Sequence, residues 1–226
     1  MAESMLLSFL SVDFSNGDTL TTTVQIALLL TILSIAPGIL ILMTCFTRII
    51  IVLSFVRQGL ATQSTPPNQV LIGLALFMTF FIMAPVIQDV YESAYVPLST
   101  GEASGEEALQ AAIVPIKEFM AQHTREKDLA LFMGYGGYEK PETLDDVPIT
   151  ALIPAFAISE LKTAFQIGFL IFVPFLVIDM IVASVLMSMG MMMLPPVMIA
   201  LPFKVLLFVL VDGWYLVVQS LLISYQ

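Results

Sequence analysis

The sequence predicts an all-α, membrane-associated protein of long kinked helical hairpins joined by short amphipathic helices. Three observations predict it. Of 226 residues, 58% are hydrophobic and only 12% charged, where an ordinary soluble domain carries about a quarter charged residues. Two apolar runs, Ala164 to Leu186 and Val205 to Tyr225, each reach the ~20 residues that a helix needs to cross a bilayer. Between them lies MSMGMMMLPPVMIALPFK, Met187 to Lys204. Its Gly190, Pro195, Pro196 and Pro202 cannot all belong to one continuous helix, so the chain reverses there with methionine at its tip.

From the start, MAESMLLSFLSVDF has no Lys or Arg before its short apolar stretch and so lacks the basic n-region of a secretory signal peptide. Residues 1–23 read as an exposed lead-in that ends in a threonine helix cap. The first apolar run, Val24 to Phe46, contains Pro37 and Gly38, which predict a kink. The connection TRIIIVLSFVRQGLATQSTPPNQ carries Arg48 and Arg57 and no acid, which places it on the cytoplasmic side. Because Ile49 to Val56 is apolar, the first helix is expected to run past Arg48 and to turn between Gln58 and Pro67. Thr65-Pro66-Pro67-Asn68 then reads as a stop and a cap. The second run, Val70 to Ile87, is expected to break at Pro85. Residues 24–87 thus form a first hairpin, 88–162 a polar outer region and 163–226 a second hairpin.

The net charge of −10 is concentrated in the polar region, where Asp89 to Lys162 holds 13 acids against 5 bases. A solvated face explains it better than a cation site. No basic stripe is present, which argues against nucleic-acid binding. Leu109, Ile113, Ile116 and Met120 recur at helical spacing and predict an amphipathic helix, with a second over Asp128 to Met133. Tyr135-Gly136-Gly137-Tyr138 reads as a loop; it lacks the spacing and strand context of a dinucleotide fingerprint. Cys45 and His123 are solitary, which suits a buried small hydrophobe and a surface histidine rather than metal ligands. No phosphate-binding loop is present. The expectation is a protein that is no enzyme and holds no metal or cofactor.

Charges in apolar surroundings demand a reason, because an unpaired one costs on the order of 3 kcal/mol or more. Asp179, Lys204 and Asp212 are such charges. Both aspartates lie roughly 15 Å from the tip at 1.5 Å per residue. An intramembrane aspartyl protease would use paired carboxylates, but Val-Ile-Asp-Met-Ile and Leu-Val-Asp-Gly-Trp lack its Gly-x-Gly-Asp turn. Asp179 and Asp212 could instead line the ion path of a proton-coupled secondary transporter or ion channel. The structural reading is favoured: Glu160 and Asp179 pair with Lys204, within one chain or between subunits. Met187, Met189, Met191, Met192, Met193 and Met198 cannot all fill one core. A ring of such turns would form a soft apolar constriction.

Several strings now stand together: Phe46-Thr-Arg-Ile-Ile-Ile-Val, Pro66-Pro-Asn-Gln-Val-Leu-Ile-Gly-Leu-Ala-Leu-Phe, Thr79-Phe-Phe-Ile-Met-Ala-Pro-Val, Ser159-Glu-Leu-Lys-Thr-Ala-Phe-Gln-Ile-Gly-Phe, Gly190-Met-Met-Met-Leu-Pro-Pro, and Leu201-Pro-Phe-Lys through Val211-Asp-Gly-Trp. They resemble the FliP family of flagellar export-gate proteins and its SctR relatives, and the long middle region suits the flagellar branch. The resemblance is weakest over residues 1–23 and 95–148. It implies a homopentamer joined by FliQ, FliR and FlhB, through which unfolded flagellar subunits pass. It implies hairpins that assemble into a helical cone standing largely above the bacterial inner membrane, on its periplasmic side in the flagellar basal body. It further implies that Met191, Met192 and Met193 form a gasket closing the pore, and that Glu160, Asp179 and Lys204 form intersubunit ion pairs.

Overall fold

The computed structural model describes residues 26, 27, 29–31, 33, 34, 37, 38, 41–62, 64–141, 143–191 and 193–225. The lead-in, its threonine cap and Met192 lie outside the described residues. Described positions from 26 to 42 are helical, Pro37 and Gly38 among them, and Met43 to Cys45 form a turn. Helix α1, Phe46–Gly59, follows. Its Ile49, Val52, Leu53 and Val56 are fully buried, the i, i+3, i+4, i+7 stripe of a helix with one inward face. Cys45 is also fully buried, as a small hydrophobe should be.

The turn into α2, Asn68–Val90, lies where the sequence places it. Asn68 is not its cap, however: it is already helical, and its Oδ1 accepts from Arg57 Nη1 at 2.5 Å across the turn. Pro85 does not end α2. The helix runs through it into one π-helical turn, Tyr91–Tyr95, and on through α3, Val96–Thr100. A proline removes one backbone bond, but in apolar surroundings the remaining bonds have no water to replace them, so continuing is cheaper than unwinding.

The outer region forms α4, Gly105–Gln122, and α5, Glu126–Tyr135. Helix α4 starts at a capping box that the sequence spells as Ser104-x-x-Glu107: Ser104 N donates to Glu107 Oε2 at 2.8 Å, and Glu107 N to Ser104 Oγ at 3.4 Å. The 40-residue helix α6, Ile149–Ser188, then passes through Pro154 and Pro174 without a break. It is about 60 Å long. After a turn come α7, Pro196–Leu210, with Pro202 inside it rather than in the turn, and α8, Gly213–Ile223. The last apolar run is therefore not one helix, because it bends by 62° at Val211 and Asp212.

Contacts fix the arrangement. Arg48 meets Glu160, Phe55 meets Phe165 and Gly168, and Gly59 meets Phe175. Numbers rising together mean that α1 runs parallel to α6, and this is the most extensive helix contact in the chain. Lys204 meets Asp179, Phe208 meets Phe175, and Tyr225 meets Glu160. The return arm of α7 and α8 is thus antiparallel to α6 along much of its length. The two hairpins share one core. Asn68–Thr100 and Ile149–Ser188 are each long and apolar enough to cross a membrane, and the bent pair adds a third candidate if it counts as one span.

Candidate functional site

Helix α6 ends in a Schellman closure: Gly190 N donates to the Met187 carbonyl at 3.1 Å and Met191 N to the Leu186 carbonyl at 3.0 Å. Gly190 takes φ +75°, a left-handed conformation in which a side chain is strained. That closure turns the next residues away from the helix. Met193 is 99% exposed, and Met187, Met189, Met191 and Met198 are exposed with it. The tip is a cluster of thioethers that its own chain leaves uncovered.

Some 16 Å below the tip by helical rise, Lys204 Nζ donates to Asp179 Oδ2 at 2.6 Å. Lys204 is only 2% exposed, so the pair satisfies the demand for a counter-charge in apolar surroundings. Asp179 Oδ1 is shielded from solvent and has no hydrogen-bond partner among the described residues. Asp212 takes no part in this pair. It is exposed, sits at the bend in left-handed conformation with φ +51°, and its carboxylate is not matched with Asp179.

Within the chain, Glu160 pairs with Arg48 rather than with Lys204. Glu160 is fully buried and its partner is Arg48, which is itself only 3% exposed. Arg48 Nε donates to Glu160 Oε2 at 2.9 Å, Nη2 donates to Oε1, and Nη1 donates to both the carbonyl and the hydroxyl of Ser224 at 3.0 Å. Tyr225 OH donates to Glu160 Oε2 at 2.5 Å, while its ring lies 3.8 Å from the Arg48 guanidinium carbon. Arg57 remains part-exposed at the α1 turn. Sequence reasoning missed the Arg48 network, although Arg48 adjoins Ile49 on the buried stripe of α1.

His123 is not a solitary surface histidine either. Its ring stands edge-on to Phe119 at 4.8 Å and to Tyr225 at 5.0 Å. Burial pushes its pKa down to about 4, with the Arg48 charge adding to the effect. Beside it, the Ser159 hydroxyl donates to Asp128 Oδ2 at 2.7 Å and Arg125 Nη2 donates to the same oxygen at 2.5 Å. These bonds hold the Asp128 carboxyl below its usual range. They also dock α5 onto α6 at the residue next to Glu160.

Fold and site together define a membrane-associated helical scaffold. Its buried charges tie helices to one another, and its most exposed large apolar residue, Met193, stands at the tip of a hairpin. The chain belongs to the FliP family, whose profile matches residues 29–221. It is 69% identical over 211 residues to the flagellar biosynthetic protein FliP of Bacillus subtilis strain 168, covering 93% of this chain and 96% of that one. It is 54% identical to the protein of the same name from Pectobacterium carotovorum, covering 93% and 82%, and 47% identical to that of Aquifex aeolicus, covering 92% and 87%. It is accordingly a flagellar biosynthesis protein.

Proposed function

We propose that this chain is a pore-forming subunit of the flagellar type III protein export gate. Five copies, with FliQ, FliR and FlhB, surround a channel for unfolded flagellar subunits in the basal body, at the inner membrane and on its periplasmic side. Met191, Met192 and Met193 close that channel. The observation that carries the reading is the uncovered methionine tip on a hairpin arm about 60 Å long. Thioethers are flexible and polarizable, so a ring of them packs on itself at rest and repacks around any side chain in transit. Within such a ring Glu160 is already satisfied by Arg48. The intersubunit role therefore falls to Asp179, whose Oδ1 has no partner among the described residues, with Lys204 as the counter-charge on its other oxygen.

Replacing Met191, Met192 and Met193 together by alanine tests the gasket. The complex is expected to assemble in normal amount and to raise resting ion permeability of the membrane. Unchanged permeability in a normally assembled complex would sink the gasket assignment.

A further inference from the structure

We propose that Tyr225 is a positioning residue for the methionine tip, through the register it imposes on the return arm; this rests on the gate reading above. The return arm touches α6 at three named levels. Asp179 meets Lys204, Phe175 meets Phe208, and Glu160 meets Tyr225. The first two do not by themselves set an axial position. A lysine stem is flexible, and Phe175 and Phe208 meet at a tilted angle of 41° with centroids 6.1 Å apart, a contact that can slide.

Tyr225 is held differently. Its hydroxyl reaches the fully buried Glu160, its ring lies against the buried Arg48, and the neighbouring Ser224 takes Arg48 Nη1 through two oxygens. Phe119 stacks at 6.2 Å, and His123 meets the ring edge-on. The bonds are directional and charge-assisted, and a shift by one helical turn, ~5.4 Å, would break all of them. Between this anchor and the tip lies the 62° bend, where Asp212 holds a left-handed conformation that a side chain adopts at a cost. Such a bend persists only if both flanking segments are held. On the tip side the Lys204 and Phe208 contacts keep the arm against α6 without fixing its register, and Tyr225 fixes the other side. Without the Tyr225 hydroxyl, the anchor loses its direct bond to Glu160, and the end of the arm that carries Met193 and Met198 is held less firmly.

The test uses the intact export complex in membranes and two readouts. Val185 and Ile199 line one apolar groove between the arms near the tip, so a Val185→Cys, Ile199→Cys pair reports register by its oxidative cross-linking yield. Tyr225→Phe keeps the ring and removes only the hydroxyl. The expected result is normal complex yield, a severalfold loss of cross-linking, and resting ion leak raised by up to about tenfold, the equivalent of one ~1.4 kcal/mol hydrogen bond. Tyr225→His, which restores a ring with a donor, is expected to recover part of both. Wild-type cross-linking in Tyr225→Phe overturns the proposal, and so does a complex that fails to assemble, since Tyr225 would then serve stability alone. If the triple methionine replacement also fails to leak, the gate reading falls, and the cross-linking yield still decides the role of Tyr225.

Discussion

Arg48 stands in an isoleucine run where an unpaired guanidinium could not remain, and its donors are shared between both oxygens of Glu160 and the Ser224 pair. A buried ion pair adds little net stability, but removing one partner leaves the other charged and dry, at a cost of about 3–5 kcal/mol. Arg48→Met is therefore expected to lower the thermal unfolding midpoint of the detergent-extracted protein by that equivalent, and Arg48→Met with Glu160→Met to recover most of the loss. A single variant as stable as the parent would mean that Glu160 is solvated. At this scale the sequence was only half readable. That Glu160, Asp179 and Lys204 need partners follows from charge and hydropathy. Which base goes with which acid depends on helices 112 residues apart meeting at one level, and no local pattern encodes that.

The parallel contact of α1 with α6 depends on two glycines that each receive a phenylalanine from the other helix. A Cβ on Gly168 would lie 2.4 Å from the Phe55 ring, and one on Gly59 would lie 2.5 Å from the Phe175 ring. Gly168→Leu is expected to destabilise by about 1–3 kcal/mol through overpacking. Gly73 has nothing within 4 Å of its Cβ position, so Gly73→Ala should be neutral or stabilising by up to ~1 kcal/mol. Comparative thermal unfolding checks both, and equal effects at the two positions would refute the close-packing account. Element ends were legible at the reversal that contains Gly190; the capping box of Ser104 and Glu107, although spelled out in the sequence, went unread. They were misread at Pro85 and Pro202, because proline ends helices mainly where water can take up the freed carbonyl. The break at Asp212 was signalled by an Asp-Gly pair, an ordinary turn dipeptide.

The chain as a whole leaves Phe77, Phe81, Phe169 and Leu170 more than half exposed, and only 11% of the most apolar window of Ile149–Ser188 is buried inside it. Apolar faces of this extent need lipid or other subunits. A helix of ~60 Å is twice the hydrocarbon thickness, so lipid alone cannot cover α6. Native mass spectrometry of the detergent-extracted protein, co-expressed with the other export-gate subunits, is expected to show about five copies carrying those partners. A stable monomer would return Asp179 and Asp212 to consideration as an ion path. Hydropathy shows that surfaces must be covered, but Leu facing lipid and Leu facing a neighbour read alike, so depth in the bilayer was not legible. The Arg48 network carries one more consequence, in the order of events during synthesis. Its partners are made 112 and 176 residues after it, an interval of roughly 9–35 s for the later one at bacterial elongation rates. Throughout that time the guanidinium has no Ser224 or Tyr225, and for the first 112 residues of it no Glu160 either. Helix α1 must therefore wait in a hydrated or otherwise shielded position, and its final burial can only follow translation of the return arm.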